Sequence, residues 1–239
     1  MNNEKMFYPT NSFSKKKDVL TVKMKNNDDK IENVQNNFNI DLTLLRMEKL
    51  LTDNSFGFNY FVLRSIHKYI FKDIYNFAGD YRIHNIVKKE DVLKGNSIKY
   101  VNFRDIESSL DYEINKEKNF DYSNLNQNEI VKHIANFSAN IWQIHPFENG
   151  NTKAFYVFII KYLEKQGFSI DSSLFKEYFL YFRNSLIIAN YCNIPKNIYP
   201  NNTYLIMFFE NLLYGKNNLL DNNNFHINFL EHGGIDNDW

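Results

Sequence analysis

Apolar side chains return at helical spacing along most of this chain, and each return marks an element. From Asp41 onward the apolar residues Leu42, Leu45, Leu50 and Leu51 return at helical spacing, with Asp41 placed to cap the helix. A second helix is predicted over residues 59–77, ended by Ala78-Gly79-Asp80 with Gly79 as its terminal glycine. Between Asn126 and Ile144, the residues Ile130, Ile134, Phe137, Ile141 and Ile144 recur every three or four positions, which defines an amphipathic helix. The run Ala154–Leu163, AFYVFIIKYL, is apolar on almost every side, so a helix over 152–166 belongs inside the core, with Gly167 closing it. Further helices are expected over 104–118, from the Asp171-Ser172-Ser173 cap to Tyr191, and over 203–214 with Gly215 after it.

The pattern changes character between residues 83 and 102. Two β-prone pieces, Ile83–Val87 and Ile98–Val101, flank the polar turn Lys94-Gly95-Asn96 and predict a hairpin. The fold class expected is therefore all-α with one small hairpin. Its domain should span 41–215, after a polar, partly disordered arm over 1–40 and before an Asn-rich, weakly ordered tail over 216–239. Within the arm only Val19–Met24 reads as a short strand.

Composition narrows the function. Lys plus Arg and Asp plus Glu both number 28, so there is no basic excess of the kind a dedicated nucleic-acid binder carries. The 22 Phe and 16 Tyr supply a core, and only 8 Gly and 4 Pro favour helices over a turn-rich β protein. The single cysteine, Cys192, excludes an internal disulfide and reads as a structural thiol. The first residues carry no apolar run of signal-peptide type, and the longest apolar stretch, Ala154–Ile160, is too short for a membrane span. The expectation is a cytoplasmic protein without membrane or nucleic-acid partners.

The densest chemistry lies in residues 145–153, HPFENGNTK. His145 ends one helix and Asn151 begins the next, so the loop between them sits on the first turn of a buried helix. First-turn amides have no intrahelical acceptor and lie at the positive end of the dipole, which makes an anion site. Lys153 in that turn is unfavourable unless an anion offsets it. A histidine, a glycine-asparagine turn and a lysine together point to phosphate chemistry, with His145 as proton acceptor. Gly150 lets the backbone approach phosphates without a Cβ. The amides of Gly150, Asn151 and Thr152, with the Asn151 side chain, are candidates for the anion cradle, and Lys153 for a point charge on a β- or γ-phosphate. Phe147 reads as a buried anchor beneath the loop. There is no G-x-x-x-x-G-K sequence, so a nucleotide site would not be of the P-loop type.

This stretch resembles the signature of the Fic (filamentation induced by cAMP) family, HPFx[DE]GN[GK]R. It departs at Asn149, Thr152 and Lys153. The likeness extends to YNFAGDYR (Tyr75–Arg82), YFRNSLIIANY (Tyr181–Tyr191) and TYLIMFFENLLYG (Thr203–Gly215), in family order over roughly residues 40–215. It implies a Fic fold and transfer of AMP from ATP to a Tyr, Thr or Ser hydroxyl of a target protein. The hairpin would then be a flap holding the target's backbone, with Ile86, Val87, Ile98 and Tyr100 as its candidate contacts. Asn149 would stand at the family's Mg²⁺-binding acidic position. A neutral oxygen is a poorer ligand for a hard cation, so weakened Mg²⁺ use is expected.

The alternatives that these departures favour are a Fic-fold phosphotransferase with another donor, or a nucleotide- or protein-binding module without turnover. Many relatives restrain themselves with an inhibitory helix, [ST]-x-x-x-E-[GN]. The nearest segment here is Ile206–Asn211, with Glu210 as the inhibitory candidate, though Tyr156 replaces the arginine such a glutamate would pair with. A surface charge or cap is the stronger reading of Glu210, and a separate antitoxin-like inhibitor is then an expected partner. His133 reads as a surface or supporting residue.

Overall fold

A computed structural model describes residues 27–226. Eight helices and one two-stranded antiparallel hairpin make up the described region: α1 Asn27–Thr52, α2 Val62–Phe71, β1 Val87–Lys89, β2 Ser97–Lys99, α3 Ile106–Lys118, α4 Gln127–Ile144, α5 Asn151–Lys165, α6 Ser172–Glu177, α7 Phe179–Asn190 and α8 Thr203–Tyr214. The all-α class expected from the pattern is the observed one.

Helix α5 is the axis of the core. Every residue from Ala154 to Leu163 is buried, as its unbroken apolar run requires. Around it, α1 and α2 cover one side and α4 another, while α3, α7 and α8 pack on α4. Aromatic rings fill the gaps. Phe155, Phe175, Phe182 and Phe208 interlock between α5, α6, α7 and α8, and Phe58, Phe137, Phe158 and Tyr162 do so on the other side. Each such ring removed from water stabilises the fold by about 1.5–3 kcal/mol.

Several boundaries follow from local chemistry. Asn126 accepts bonds from the Asn128 and Glu129 amides while the Glu129 carboxylate accepts from the Asn126 amide, a complete capping box that starts α4 where the sequence placed it. Helix α8 runs over the expected 203–214 and ends at Gly215 in the left-handed conformation.

Other boundaries differ from expectation. The first helix begins at Asn27, not near Asp41. No glycine or proline interrupts 27–52, and extending a helix costs little per residue once it is nucleated. The remainder of the expected arm, including Val19–Met24, lies outside the described residues. Helix α2 stops at Phe71 rather than Phe77, because Asp73 turns to φ 66°. Arg46 of α1 seals that end by donating to the Ile70 carbonyl at 3.2 Å and to the Lys72 carbonyl, and by pairing with Asp73.

The segment expected as one helix to Tyr191 breaks at Tyr178 into α6 and α7. Residues 216–226, expected as weakly ordered tail, are tied back to α8: the side chain of Asn218 donates to Glu210 and Met207, and its amide donates to Asn211. The rest of the tail lies outside the described residues.

The hairpin exists but is shifted. Its register pairs Val87 with Lys99, Lys88 with Ile98 and Lys89 with Ser97. The first strand starts four residues later than Ile83, after a stretch held by other bonds: Arg82 donates to the His84 carbonyl, and the Asn85 side chain accepts from the Phe103 amide. The hairpin's tip is anchored. Leu93 is fully buried, and the buried Glu90 carboxylate meets Arg183 of α7 at 2.8 Å.

Candidate active site

Helix α4 ends at His145, which adopts the left-handed conformation with φ 49°. This turns the chain into Pro146 and the loop that leads to α5. The His145 ring is buried, 3% exposed, with the Tyr100 ring stacked on it at 3.8 Å and Trp142 edge-on at 5.2 Å. Its Nδ1 is buried and makes no hydrogen bond. Burial, reinforced by the positive charges of Lys88, Arg183 and Arg82, holds its pKa well below the ordinary value of 6.5. It is therefore a neutral imidazole at neutral pH, with bonding capacity unspent.

Arg82 fixes this helix end. Its guanidinium donates to the carbonyls of His145 (2.9 Å), Ile144 (3.3 Å), His84 (2.8 Å) and Val101, and its own amide donates to the Pro146 carbonyl at 2.9 Å. One buried planar fork thus joins the α4 terminus, the start of the hairpin and the segment after it.

The loop floor is apolar. Phe147 is fully buried and lies parallel to the His67 ring at 3.8 Å. Asn151, expected to lend its side chain to the cradle, instead braces the loop: its Oδ1 accepts from the Phe147 amide at 2.9 Å and its Nδ2 donates to the Phe147 carbonyl at 2.7 Å. What remains for an anion is backbone. Among the described residues, the amides of Gly150, Asn151 and Thr152 donate to no carbonyl. Gly150 takes φ 78°, and α5 begins at the next residue. Thr152 and Lys153 are half-buried in the first turn, with the Thr152 hydroxyl accepting from the Trp142 indole at 3.3 Å.

Two acidic-position residues behave differently. Glu148, half-buried, pairs with the exposed His84 at 3.2 Å. Asn149 supplies its backbone carbonyl to His67 at 2.9 Å. No group of three or more His, Cys, Asp or Glu side chains suited to a metal occurs among the described residues. The loop offers only the neutral Asn149 amide where a divalent cation would want a carboxylate, so these side chains do not fit Mg²⁺ well.

Of the flap candidates, Ile86 precedes β1 and Tyr100 follows β2. Ile98 is buried and Val87 is 57% exposed. Tyr100 belongs to the His145 environment as much as to a flap. Glu210 sits on α8, bound to Lys216 and Asn218, and is not part of this cluster. His133 is also apart: it bonds the buried Glu117 carboxylate at 2.7 Å, which Tyr122 and Tyr162 also hold. His67 and Arg82 are the residues whose roles the pattern did not reveal. The available signal for His67 was a histidine on the apolar face of a helix, between Leu63, Ile66 and Ile70.

A mostly helical fold with one small antiparallel hairpin matches the fold of solved Fic domains. Residues 58–163 match the Fic/DOC family model. Protein adenylyltransferase VbhT of Bartonella schoenbuchensis is 28% identical over 112 residues, 46% of this chain but only 22% of that protein. The chain thus spans about a fifth of the length of this curated relative.

Among solved structures, BepC of Bartonella tribocorum with bound AMPPNP superposes with a TM-score of 0.56 at 17% identity, covering 79% of this chain and 88% of that one. The N-terminal Fic domain of a putative cell filamentation protein of Bartonella quintana, with bound ADP, gives 0.55 at 20% identity, covering 86% and 92%. Among the described residues no helix is long and apolar enough to cross a membrane.

Proposed function

We propose that this chain is a Fic-type transferase that moves AMP from ATP to a hydroxyl side chain of a target protein. The observation that carries the reading is a sequestered neutral imidazole, His145, beside a helix N-terminus whose first amides donate to no carbonyl among the described residues. The adenylyltransferase relative and the solved Fic domains with AMPPNP or ADP support the choice of nucleotide.

In this reading the target hydroxyl oxygen forms a bond to the α-phosphorus, and the bond from that phosphorus to the β-bridging oxygen breaks. The hydroxyl proton passes to His145, and pyrophosphate leaves with its charge. The amides of Gly150, Asn151 and Thr152 stabilise the charge that builds on the phosphate oxygens, and Lys153 supplies a cation in the first turn of α5. The hairpin, fixed by Glu90–Arg183, offers the exposed edge of β1 to an extended target segment. No step is assigned to Mg²⁺, since Asn149 gives it no anionic ligand. Restraint by a separate inhibitor protein fits this chain better than restraint by Glu210, which is already bound by Lys216 and Asn218.

A second reading, transfer of another phosphate-linked group or binding without turnover, is favoured by Asn149, Lys153 and Tyr156 standing at the signature's acidic and arginine positions. Parallel incubation of lysate with α-labelled and γ-labelled ATP separates them, with His145→Ala as control. Label from the α position that disappears in the variant supports AMP transfer. Label from the γ position points to phosphotransfer, and binding with no transfer to a binding module.

A further inference from the structure

His67 lies one helix away from the signature loop and 82 residues from Asn149 in sequence, yet it holds both sides of the site together. It is completely buried on α2. Its Nδ1 accepts the Gly79 amide at 2.9 Å. A nitrogen that accepts carries no hydrogen, so the neutral ring has its proton on Nε2, and Nε2 donates to the Asn149 carbonyl at 2.9 Å. The ring face is stacked on Phe147 at 3.8 Å, 15° from parallel. Burial draws its pKa down to about 4, so the single-proton form that satisfies both partners persists at neutral pH.

The consequence runs through the next peptide unit. No peptide bond in the described chain is cis. In a planar trans peptide the carbonyl and the following N–H point in opposite directions. Drawing the Asn149 carbonyl onto His67 therefore aims the Gly150 N–H away from α2. Phe71, one turn along the same face of α2, closes the other side: a Cβ on Gly150 would stand 2.4 Å from its Cε2. Helix α2 thus forms the back of the loop, and the amide that opens the cradle faces outward from it.

We propose that His67 is a positioning residue for phosphate binding: by holding the Asn149 carbonyl it presets the Gly150 amide toward the phosphates of a nucleoside polyphosphate. This rests on the nucleotide reading of the site given above. The ring does not touch the ligand. It removes the need to reorient a peptide unit on binding, which is where preorganisation adds affinity.

Two substitutions separate the links. Gln at position 67 places a donor near the Nε2 position and can keep the Asn149 contact. Asn places its amide near the Nδ1 position, which keeps Gly79 but falls short of Asn149. Binding of ADP by calorimetry and of adenosine by saturation-transfer NMR are then compared for the wild type, His67→Gln and His67→Asn, each shown to be folded by its melting transition.

The expected result is a loss of ADP affinity of about 10- to 100-fold in His67→Asn, with His67→Gln within a few fold of wild type and adenosine binding the same in all three. Equal ADP affinity in wild type and His67→Asn overturns the role of His67 and leaves the nucleotide reading intact. Parallel loss of ADP and adenosine in both variants also overturns it, because that is the signature of a general packing role. Should His67→Asn fail to melt cooperatively, a folded His67→Gln that has lost its ADP affinity still overturns the proposal, and one that retains it supports it. Wild-type protein that ignores ADP removes the nucleotide reading, and this inference falls with it.

Discussion

The ring of Phe71 occupies the space a side chain at position 150 would need: a Cβ there would fall 2.4 Å from Cε2 and 2.6 Å from Cζ of that ring. Gly150 also takes φ 78°, which costs an L-residue roughly 1–2 kcal/mol. Gly150→Ala should therefore destabilise the protein by about 2–4 kcal/mol through the combined strain and overlap. The melting temperature and the ADP-induced rise in it are both expected to fall. Adding Phe71→Leu should recover part of the stability by vacating the ring's space, and the recovery is read in the same melt.

Arg82 gathers carbonyls from the α4 end, from the start of the hairpin and from the segment after it. A lysine carries the charge but not the fork, and cannot satisfy these carbonyls together. Arg82→Lys is expected to leave at least one buried acceptor without a donor, at about 1–3 kcal/mol. Because those carbonyls include that of His145, transfer activity should drop beyond what the stability loss explains. Chemical denaturation and a transfer assay at a temperature where the variant is fully folded test the two parts separately.

Much of the fold could be read along the chain because its signals are local. The capping box of Asn126 and Glu129, the four-sided apolar run of α5 and the glycine after α8 each involve residues within one or two turns. The helix ends on either side of residues 145–150 were legible for the same reason. The roles of His67 and Arg82 were not: their partners lie 82 and 63 residues away, and long-range bonds leave no periodic trace. Asn151 was misassigned in part because an asparagine at a helix start reads as a ligand for an anion as easily as a brace for its own loop. Only the fold shows that both ends of its side chain are already used. The first strand starts after a stretch held by bonds that no strand propensity encodes.

Acid should unfold this protein earlier than its carboxylates alone require. His67 titrates at about 4 in the fold and near 6.5 when exposed, and burial also holds His145 well below 6.5. Between those values the unfolded chain binds more protons than the folded one, so stability falls as pH falls. His67 contributes a slope of a little over 1 kcal/mol per pH unit in that window, about 3 kcal/mol in all, and His145 adds to it with the same sign. The loss begins below pH 6.5 and levels off for His67 below pH 4. Denaturant melts at half-unit pH steps should show this slope, reduced by about one proton's worth in folded His67→Gln.

The Glu117 cluster predicts stability without function. Burial alone would raise the Glu117 pKa, but the bonds from His133, Tyr162 and Tyr122 outweigh it and hold the group below its ordinary value of 4.5. Its stabilisation is thus present above pH 4.5 and is lost as pH falls through the lower folded value. Glu117→Gln removes the charge that three donors address, and losing hydrogen bonds to a buried charged group should cost about 1.5–3 kcal/mol. Since none of these side chains is among those grouped around His145, ADP affinity of the folded variant should equal that of wild type. Calorimetry below the variant's melting range checks this.

Asn149 is where the chemistry of this loop departs furthest from a metal-assisted transfer. Its side-chain oxygen is neutral, and its carbonyl is committed to His67. The neighbouring carboxylate, Glu148, is turned to His84. If the loop works mainly through its amides and Lys153, wild-type nucleotide affinity should depend weakly on Mg²⁺. Asn149→Asp adds an anionic oxygen and leaves the backbone carbonyl, and hence the His67 link, in place. Without metal the new charge repels phosphate, so ADP should bind less tightly than to wild type. With Mg²⁺ that charge becomes a ligand, and affinity should recover or exceed the wild-type value. The same pair of titrations, with EDTA and with Mg²⁺, therefore gives a crossing of the two proteins. Parallel responses would mean that position 149 does not face the phosphates at all.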